Sequence, residues 1–232
     1  MTRYFMRDTP LYQMEQMMMT PPNFRPRGHG PHPSRFHYQA KDVECRYCTN
    51  HEQDRLCPLC ECICLRDRIN AGTISLAEIL QDCLCGKLKV GLWSRLTAEI
   101  FPYPLQFFRT DKHRSRWMQW KERYHQLSRK NQAALFLLTA YDDIWFRVIW
   151  KISDDGFDFG SVHLAGIQPE VYSVYQAAKA ISTGSHNITL ADLASPELVT
   201  DEAFRLIICA LLLAKYGDAI LHFERKEGEE TQ

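Results

Sequence analysis

Phe204-Arg-Leu-Ile-Ile-Cys-Ala-Leu-Leu-Leu-Ala214, inside the stretch Asp201 to Tyr216, decides the fold. Read as a helix, it is apolar on most faces, so it has to be enclosed by other elements and form the centre of a core. Cys209 within it reads as an ordinary core side chain. The uninterrupted apolar run, Leu206 to Ala214, is nine residues bracketed by Arg205 and Lys215, too short to cross a bilayer. A chain of 232 residues with 45% hydrophobic and 24% charged side chains is long enough to build that enclosure.

Working outward, the neighbouring segments also carry helical periodicity. Trp117, Trp120, Tyr124 and Leu127 stand at i, i+3, i+7 and i+10, one stripe of an amphipathic helix. Asn131 to Ala140 and Asp142 to Ile152 read as two helices rich in Leu, Phe, Ile and Trp, with Asp142 and Asp143 as N-cap residues. Gly156 interrupts the pattern, and Phe157-Asp-Phe159 with Val162 and Leu164 suggests a short extended piece. Pro169 at N1 begins a helix with Val171, Val174, Tyr175, Ala178 and Ile181 inward, ending near Gly184. Thr189-Leu-Ala-Asp192 and Ser195-Pro-Glu begin two short helical turns. Upstream, Ser75-Leu-Ala-Glu78 is a capping box that starts a helix from Leu76 to about Cys85, with Gly86 ending it. Another helix spans about Val90–Ile100, and FPYPLQFF after it is an extended connector, since its prolines disfavour helix.

Six of the nine cysteines fall within twenty residues, Cys45-Arg-Tyr-Cys48 and Cys57-Pro-Leu-Cys60-Glu-Cys62-Ile-Cys64. Thiolates brought together repel unless a cation binds them, and Zn²⁺ takes four in a tetrahedron. Cys45, Cys48, Cys57 and Cys60 form the simplest ligand set for one structural zinc. The second pair reads as a helix start, with Pro58 at N1 and Leu59 to Ala71 helical before Gly72. On such a helix Cys57, Cys60 and Cys64 share one face, so Cys64 is an alternate to Cys60. Cys62 and His51 are further alternates. Cys83-Leu-Cys85 echoes the C-x-C of Cys62 and Cys64 and would serve a second site, although small buried core residues explain that pair more simply. An iron–sulfur cluster also uses four thiolates, but the spacing fits neither common ferredoxin run.

Residues 1–40 form an arm that holds six of the eleven prolines and six of the seven methionines. Leu11, Met14 and Met18 give a weak helical pattern before TPPNFRPRGHGPHPSRF, which reads as a flexible tail or a docking segment for a partner. The organisation expected is a Pro/Met-rich arm over 1–40, a cysteine-rich zinc module with following helices over 41–106 and a helical domain over 107–227. The fold class is mainly α. The N-terminus lacks the continuous apolar core of a signal peptide, which points to a cytoplasmic protein with no membrane partner. In a reducing compartment, clustered cysteines bind metal and do not form disulfides.

The pattern Phe136-Leu-Leu-Thr-Ala140, Ile144-Trp145, Asp155-Gly-Phe-Asp-Phe159, Tyr172, Ala177-Ala-Lys179, Ile188-Thr-Leu-Ala-Asp-Leu193 and Phe204 to Tyr216-Gly217 resembles a family of uncharacterised proteins of clostridial gut bacteria, their phages and mobile elements. His113 and Arg116 fit its start. The likeness spans roughly residues 107–217, and CRYC…CPLCEC is similar to cysteine-rich N-terminal segments from the same setting. The resemblance implies a helical fold in a bacterial or phage context and brings no activity, because the family is a domain of unknown function.

The chain carries no H-E-x-x-H, P-loop, G-x-S-x-G or dinucleotide fingerprint. Asp154-Asp155-Gly-Phe-Asp158 resembles a calcium loop only superficially, and turn and cap roles explain its acids. Asp142 and Asp143, adjacent on a helix, would point about 100° apart. Catalysis is the weakest of the function classes. Lys+Arg and Asp+Glu balance at 28 each, so no global charge announces a nucleic-acid partner. Arg109 to Lys130 does hold eight basic residues against two acids, interleaved with Trp117, Trp120 and Tyr124. Arg114, Arg116, Lys121 and Arg123 flank the aromatic stripe, an arrangement that suits phosphate binding and base stacking. Cationic stems covering the edge of a core give the same pattern, and the periodicity favours that reading. The expected function is a non-catalytic zinc-binding interaction or regulatory protein with a protein partner, the alternative a nucleic-acid-binding accessory protein.

Overall fold

The computed structural model describes residues 9–19, 39–48, 57–84, 89–103 and 105–224. His51, Cys85, Gly86 and the acidic C-terminal tail lie outside them, as do most of the arm and its proline-rich stretch. The chain falls into two units, 1–36 and 37–232. In the first, α1 (Tyr12–Met19) follows a turn in which the Tyr12 N–H donates to the Thr9 carbonyl. Leu11, Met14 and Met17 are exposed on it.

The second unit is mainly helical. Its helices are α2 (Leu65–Asn70), α3 (Leu76–Cys83), α4 (Val90–Glu99), α5 (Asp111–Arg123), α6 (Arg129–Leu138), α7 (Asp142–Val148), α8 (Pro169–Thr183), α9 (Leu190–Leu193) and α10 (Asp201–Tyr216). A two-stranded antiparallel hairpin, β1 (Ile152–Ser153) with β2 (Gly156–Phe157), pairs Ile152 with Phe157 and Ser153 with Gly156.

Helix α10 occupies the centre that its composition demands. Phe204, Cys209, Ala210 and Leu212 are fully enclosed, and α3, α6 and α8 pack around it. Its N-cap Thr200 accepts from the Ala203 N–H. A 3-10 stretch, Gly217–Phe223, continues from it. The combined 23 residues Asp201–Phe223 are apolar and long enough to suit a membrane span by composition, and half of their most apolar window is buried inside the protein. The nine-residue run is therefore part of a longer apolar helix whose environment here is other helices.

Helix α6 is buried along Ala133 to Leu138, and α8 through Val171, Val174, Tyr175 and Ala178 of the positions expected inward, with Ile181 half-buried. Gly184 ends α8 in the left-handed conformation (φ 72°), which glycine adopts without a Cβ clash. Gly156 is fixed by a different demand. At φ 139°, a Cβ there would stand 2.8 Å from Asn131 Nδ2, and that same nitrogen donates to the Asp155 carbonyl. Ser182 donates to Asn131 Oδ1 at 2.6 Å, so one side chain ties α6, α8 and the hairpin together.

One hydrophobic cluster runs from Leu65 to Ile220, so α2, α3 and α4 share a core with α5 to α10. Arg95 of α4 is buried. It donates to the carbonyls of Leu193 (2.8 Å) and Val199 (2.5 Å) and to Asp201 (2.8 Å), with its guanidinium 4.4 Å from the Phe204 ring centroid. These contacts fasten α4 to the turn that launches α10. Tyr216 and Lys215, near the end of α10, both bond Asp82 of α3.

Three expectations change. Asp142 does not cap α7. Tyr141 is the N-cap, and Asp142 stands in the first turn, where it favours the helix dipole and pairs with Lys112 and Arg116 of α5. The helix expected over Asp142 to Ile152 ends at Val148 and gives way to a 3-10 turn, Ile149–Lys151, and Phe146 on the first and Trp150 on the second are exposed at 67% and 86% while Ile144, Trp145 and Val148 face inward. The helix expected from Leu59 to Ala71 is interrupted. Leu59–Glu61 is a 3-10 turn, Cys62 turns extended, and α2 begins only at Leu65. Leu59, Cys60 and Cys62 nevertheless pack against the same hydrophobic cluster as Leu65 and Ile69.

Candidate metal centre

The two cysteine segments are short and irregular. Cys45–Tyr47 is a 3-10 turn closed by the Cys48 N–H donating to the Cys45 carbonyl at 2.9 Å. Val43 is the one buried side chain among those described between residues 39 and 48. The second segment passes through the Leu59–Glu61 turn into α2, so Cys57, Cys60 and Cys64 do not share a helical face. Cys64 shares a side-chain hydrogen bond with Cys48, which brings the two cysteine segments together at that one point. Desolvation pushes the Cys57 and Cys64 thiols up first, and the neighbouring cysteines push them further.

The remaining cysteines are placed differently. Cys60 packs against the hydrophobic core and acts electrostatically on Tyr216. Cys62 Sγ accepts from Arg68 Nη1 at 3.9 Å. Cys83, half-buried, donates to the Leu211 carbonyl at 3.8 Å, and Cys209 is fully buried with its thiol pushed far up by desolvation. Among the described residues no three Cys, His, Asp or Glu side chains converge closely enough to enclose an ion. Sulfur donors as such suit a soft, tetrahedral dication.

The basic and aromatic stretch on α5 is largely spent on the fold. Trp117 is 1% exposed and its Nε1–H donates to the Gln132 carbonyl at 3.2 Å. Trp120 is half-buried, edge-on to Trp145 at 4.9 Å between ring centroids. Arg114 pairs with Glu224 at 2.7 Å, Arg116 with Asp142, and Lys121 with Asp218. Arg123 is exposed and lies over Trp120 (4.9 Å) and Tyr124 (5.6 Å). A shallow hollow of about 350 Å³ opens beside Trp117, bordered by Met118, Lys121, His125 and Asp218.

His113 takes a role that spacing could not reveal. It is 1% exposed, its Nδ1 accepts the Arg109 N–H at 3.2 Å, and Nε2 therefore donates to the Phe136 carbonyl at 2.8 Å. Burial lowers its pKa from 6.5 to about 4, against the opposing carbonyl bond. It is a neutral structural pin between α5 and α6. Asp158 caps the turn after β2 by accepting the Gly160 N–H at 3.1 Å, the role expected of an acid there. Tyr141 donates to Glu170 while Arg109 lies over its ring and pairs with Glu202, so the first turns of α7, α8 and α10 meet in one charged network. No sequence spacing links these residues, which come from four separate elements.

Comparison with known protein families, with characterised proteins and with solved structures finds no match to this chain. The resemblance noted over residues 107–217 thus adds no family or activity to what the residues themselves carry.

Proposed function

We propose that the protein is a zinc-binding interaction or regulatory protein in which one structural Zn²⁺ is held by thiolates from Cys45, Cys48, Cys57 and one of Cys60, Cys62 or Cys64. The observation that carries the reading is the sequence pattern itself, six cysteines within twenty residues including the two C-x2-C pairs Cys45/Cys48 and Cys57/Cys60, with Cys64 hydrogen-bonded to Cys48. Four thiolates close together are stable when a dication neutralises them, and such a metal supplies folding free energy where apolar burial is scarce. Its action would be to present a surface to a protein partner. The bacterial or phage setting and the cytoplasmic location belong to the same proposal.

Protein purified under reducing conditions should contain about one equivalent of zinc. Cys45→Ser and Cys57→Ser should each lose it. Metal analysis that finds none removes the reading, and an iron-dependent visible band would replace zinc with a cluster.

Binding of nucleic acid through Arg114, Arg116, Lys121 and Arg123 is less well supported, because three of the four are already ion-paired within the protein. Its test needs neutral substitutions. Glutamates at 114 and 121 would face Glu224 and Asp218 and disturb the fold as well as any binding. Salt-sensitive binding of single-stranded or duplex nucleic acid, lost in the triple variant Arg114→Gln, Lys121→Gln, Arg123→Gln, would revive it.

A further inference from the structure

Two large aromatic side chains stand in solvent on an otherwise well-packed stretch. Phe146 of α7 is 67% exposed, and Trp150, one turn further on in the 3-10 stretch Ile149–Lys151, is 86% exposed. The residue beside the first behaves in the opposite way. Trp145 is buried, edge-on to Trp120, with the Arg116 guanidinium 5.6 Å from its ring centroid. Among the described residues, neither Phe146 nor Trp150 meets another ring or a cation. Apolar rings left in water forgo the free energy of burial, and neighbouring exposed aromatics mark surfaces where partners dock.

The charges around the pair decide what kind of partner suits it. Residues 143–158 hold four carboxylates, Asp143, Asp154, Asp155 and Asp158, against two cations, Arg147 and Lys151. Asp143 stands one helical turn before Phe146. The Asp158 N–H donates to the Lys151 carbonyl at 3.0 Å, which returns the hairpin to the residue after Trp150. Arg147 is occupied, its Nη1 donating to the His163 carbonyl at 2.6 Å. Asp143, Asp154 and Asp155 are exposed, and among the described residues none of their carboxylates pairs with a cation. The unpaired charge near the rings is therefore negative. An anionic partner would be repelled, and a second copy of the chain would bring the same excess of carboxylates. A cationic peptide matches both features, since Arg and Lys side chains lie over aromatic faces and pair with carboxylates.

We propose that Phe146 and Trp150 form the docking face for a cationic peptide segment of a protein partner, whose Arg or Lys side chains cover the rings while Asp143, Asp154 and Asp155 neutralise its charge. The proposal rests on the reading above that the protein presents a surface to a protein partner, and it names that surface and the chemistry of what sits on it. It does not depend on zinc, so metal content and peptide binding succeed or fail separately.

The test uses the full chain and a short fluorescein-labelled peptide of Gly-Arg repeats, followed by fluorescence anisotropy, with a Gly-Glu peptide beside it. Wild type should bind the Gly-Arg peptide saturably, less tightly as salt rises, and should not bind Gly-Glu. Trp150→Ala should weaken binding by about tenfold or more, and Phe146→Ala by roughly two- to fivefold. The triple variant Asp143→Asn, Asp154→Asn, Asp155→Asn should bind more weakly and lose most of the salt dependence. All of these variants should unfold near the wild-type midpoint, because the side chains are exposed. Peptide binding by protein that holds no metal supports the proposal and removes the zinc reading alone. Absence of Gly-Arg binding in protein that carries zinc overturns the proposal and leaves the metal reading standing. Binding that survives in Trp150→Ala and Phe146→Ala alike is bulk charge attraction and overturns it, as does a preference for Gly-Glu. Self-association of wild type that Trp150→Ala abolishes, without peptide binding, would assign the face to a second copy and overturn it too.

Discussion

Residues 39–48 and 57–64 and the helices α6, α8 and α10 belong to one unit of the protein, yet they differ in how much they bury. The helices bury Leu135, Phe136, Leu137, Val174, Phe204 and Ile208 almost completely. At about 25 cal/mol per Å² of apolar surface, burial on that scale accounts for their order without any other device. Among the described side chains of residues 39–48, Val43 is buried and the others are exposed or half-buried. Segments with so little apolar burial are ordinarily secured by a metal or a covalent link. The contrast separates a part of the molecule that sequence hydrophobicity stabilises from a part whose described side chains bury little.

The largest test of this contrast lies in the core. Phe204→Ala and Trp117→Ala should each cost about 3–5 kcal/mol, read from urea unfolding, since both side chains are enclosed. Trp120→Ala should cost clearly less, because Trp120 is half-buried at the edge of the core. Equal costs for the two tryptophans would show that the core extends further outward than the packing indicates.

Acid comes next. His113 is neutral in the fold with a pKa of about 4 instead of 6.5. Above pH 6.5 neither folded nor unfolded chains carry its proton, and the stability is complete. As pH falls from 6.5 toward 4, the unfolded chain takes up a proton that the folded one refuses, and stability drops by up to roughly 3 kcal/mol. Urea midpoints measured across that range, with the His113 ring followed by NMR, should show this decline. A His113 that titrates near its ordinary value would break the assignment of its two ring bonds.

A smaller effect belongs to the surface network. Asp142→Asn removes the partner of Lys112 and Arg116 and should cost about 1 kcal/mol, diminishing in high salt. Hydrogen bonds from Lys112 and Arg116 hold the Asp142 carboxyl below its ordinary range, so its contribution is present above that range and fades as pH falls through the lowered value. The smallest change expected of the body is from metal removal. Chelation should leave its unfolding midpoint nearly unchanged while protease sensitivity appears within residues 39–48. A body that unfolds on chelation would erase the distinction between the two regions.

Much of the helical architecture is legible in the sequence because its determinants are local. Ser75 with Glu78, Thr189 with Asp192, Pro169 at the start of α8 and Gly184 at its end act within a few residues of themselves. Periodicity likewise places Trp117, Val174 and Phe204 inside. The outward faces of Phe146 and Trp150 are not legible, since an apolar residue declares only that it can be buried. Whether it is buried depends on which face of a short helix meets a neighbour. The candidate site is half legible. The sequence marks the cysteines, but the 3-10 turn at Leu59–Glu61 and the extended Cys62 that stand in place of a continuous helix appear only in the structure.

By itself the sequence determined a mainly helical chain with a central apolar helix from Asp201 to Tyr216 and a dense thiol cluster before it. Those features follow from composition and from interactions three or four residues long. Only the tertiary structure decided that His113 is a neutral pin, that Asp142 gathers Lys112 and Arg116, and that Arg95 fastens α4 to the start of α10. Each of these depends on partners far away in the chain, from 23 residues for His113 and Phe136 to 106 for Arg95 and Asp201. Burial makes such contacts decisive, because a polar group shut away from water must find its partner wherever packing has put one.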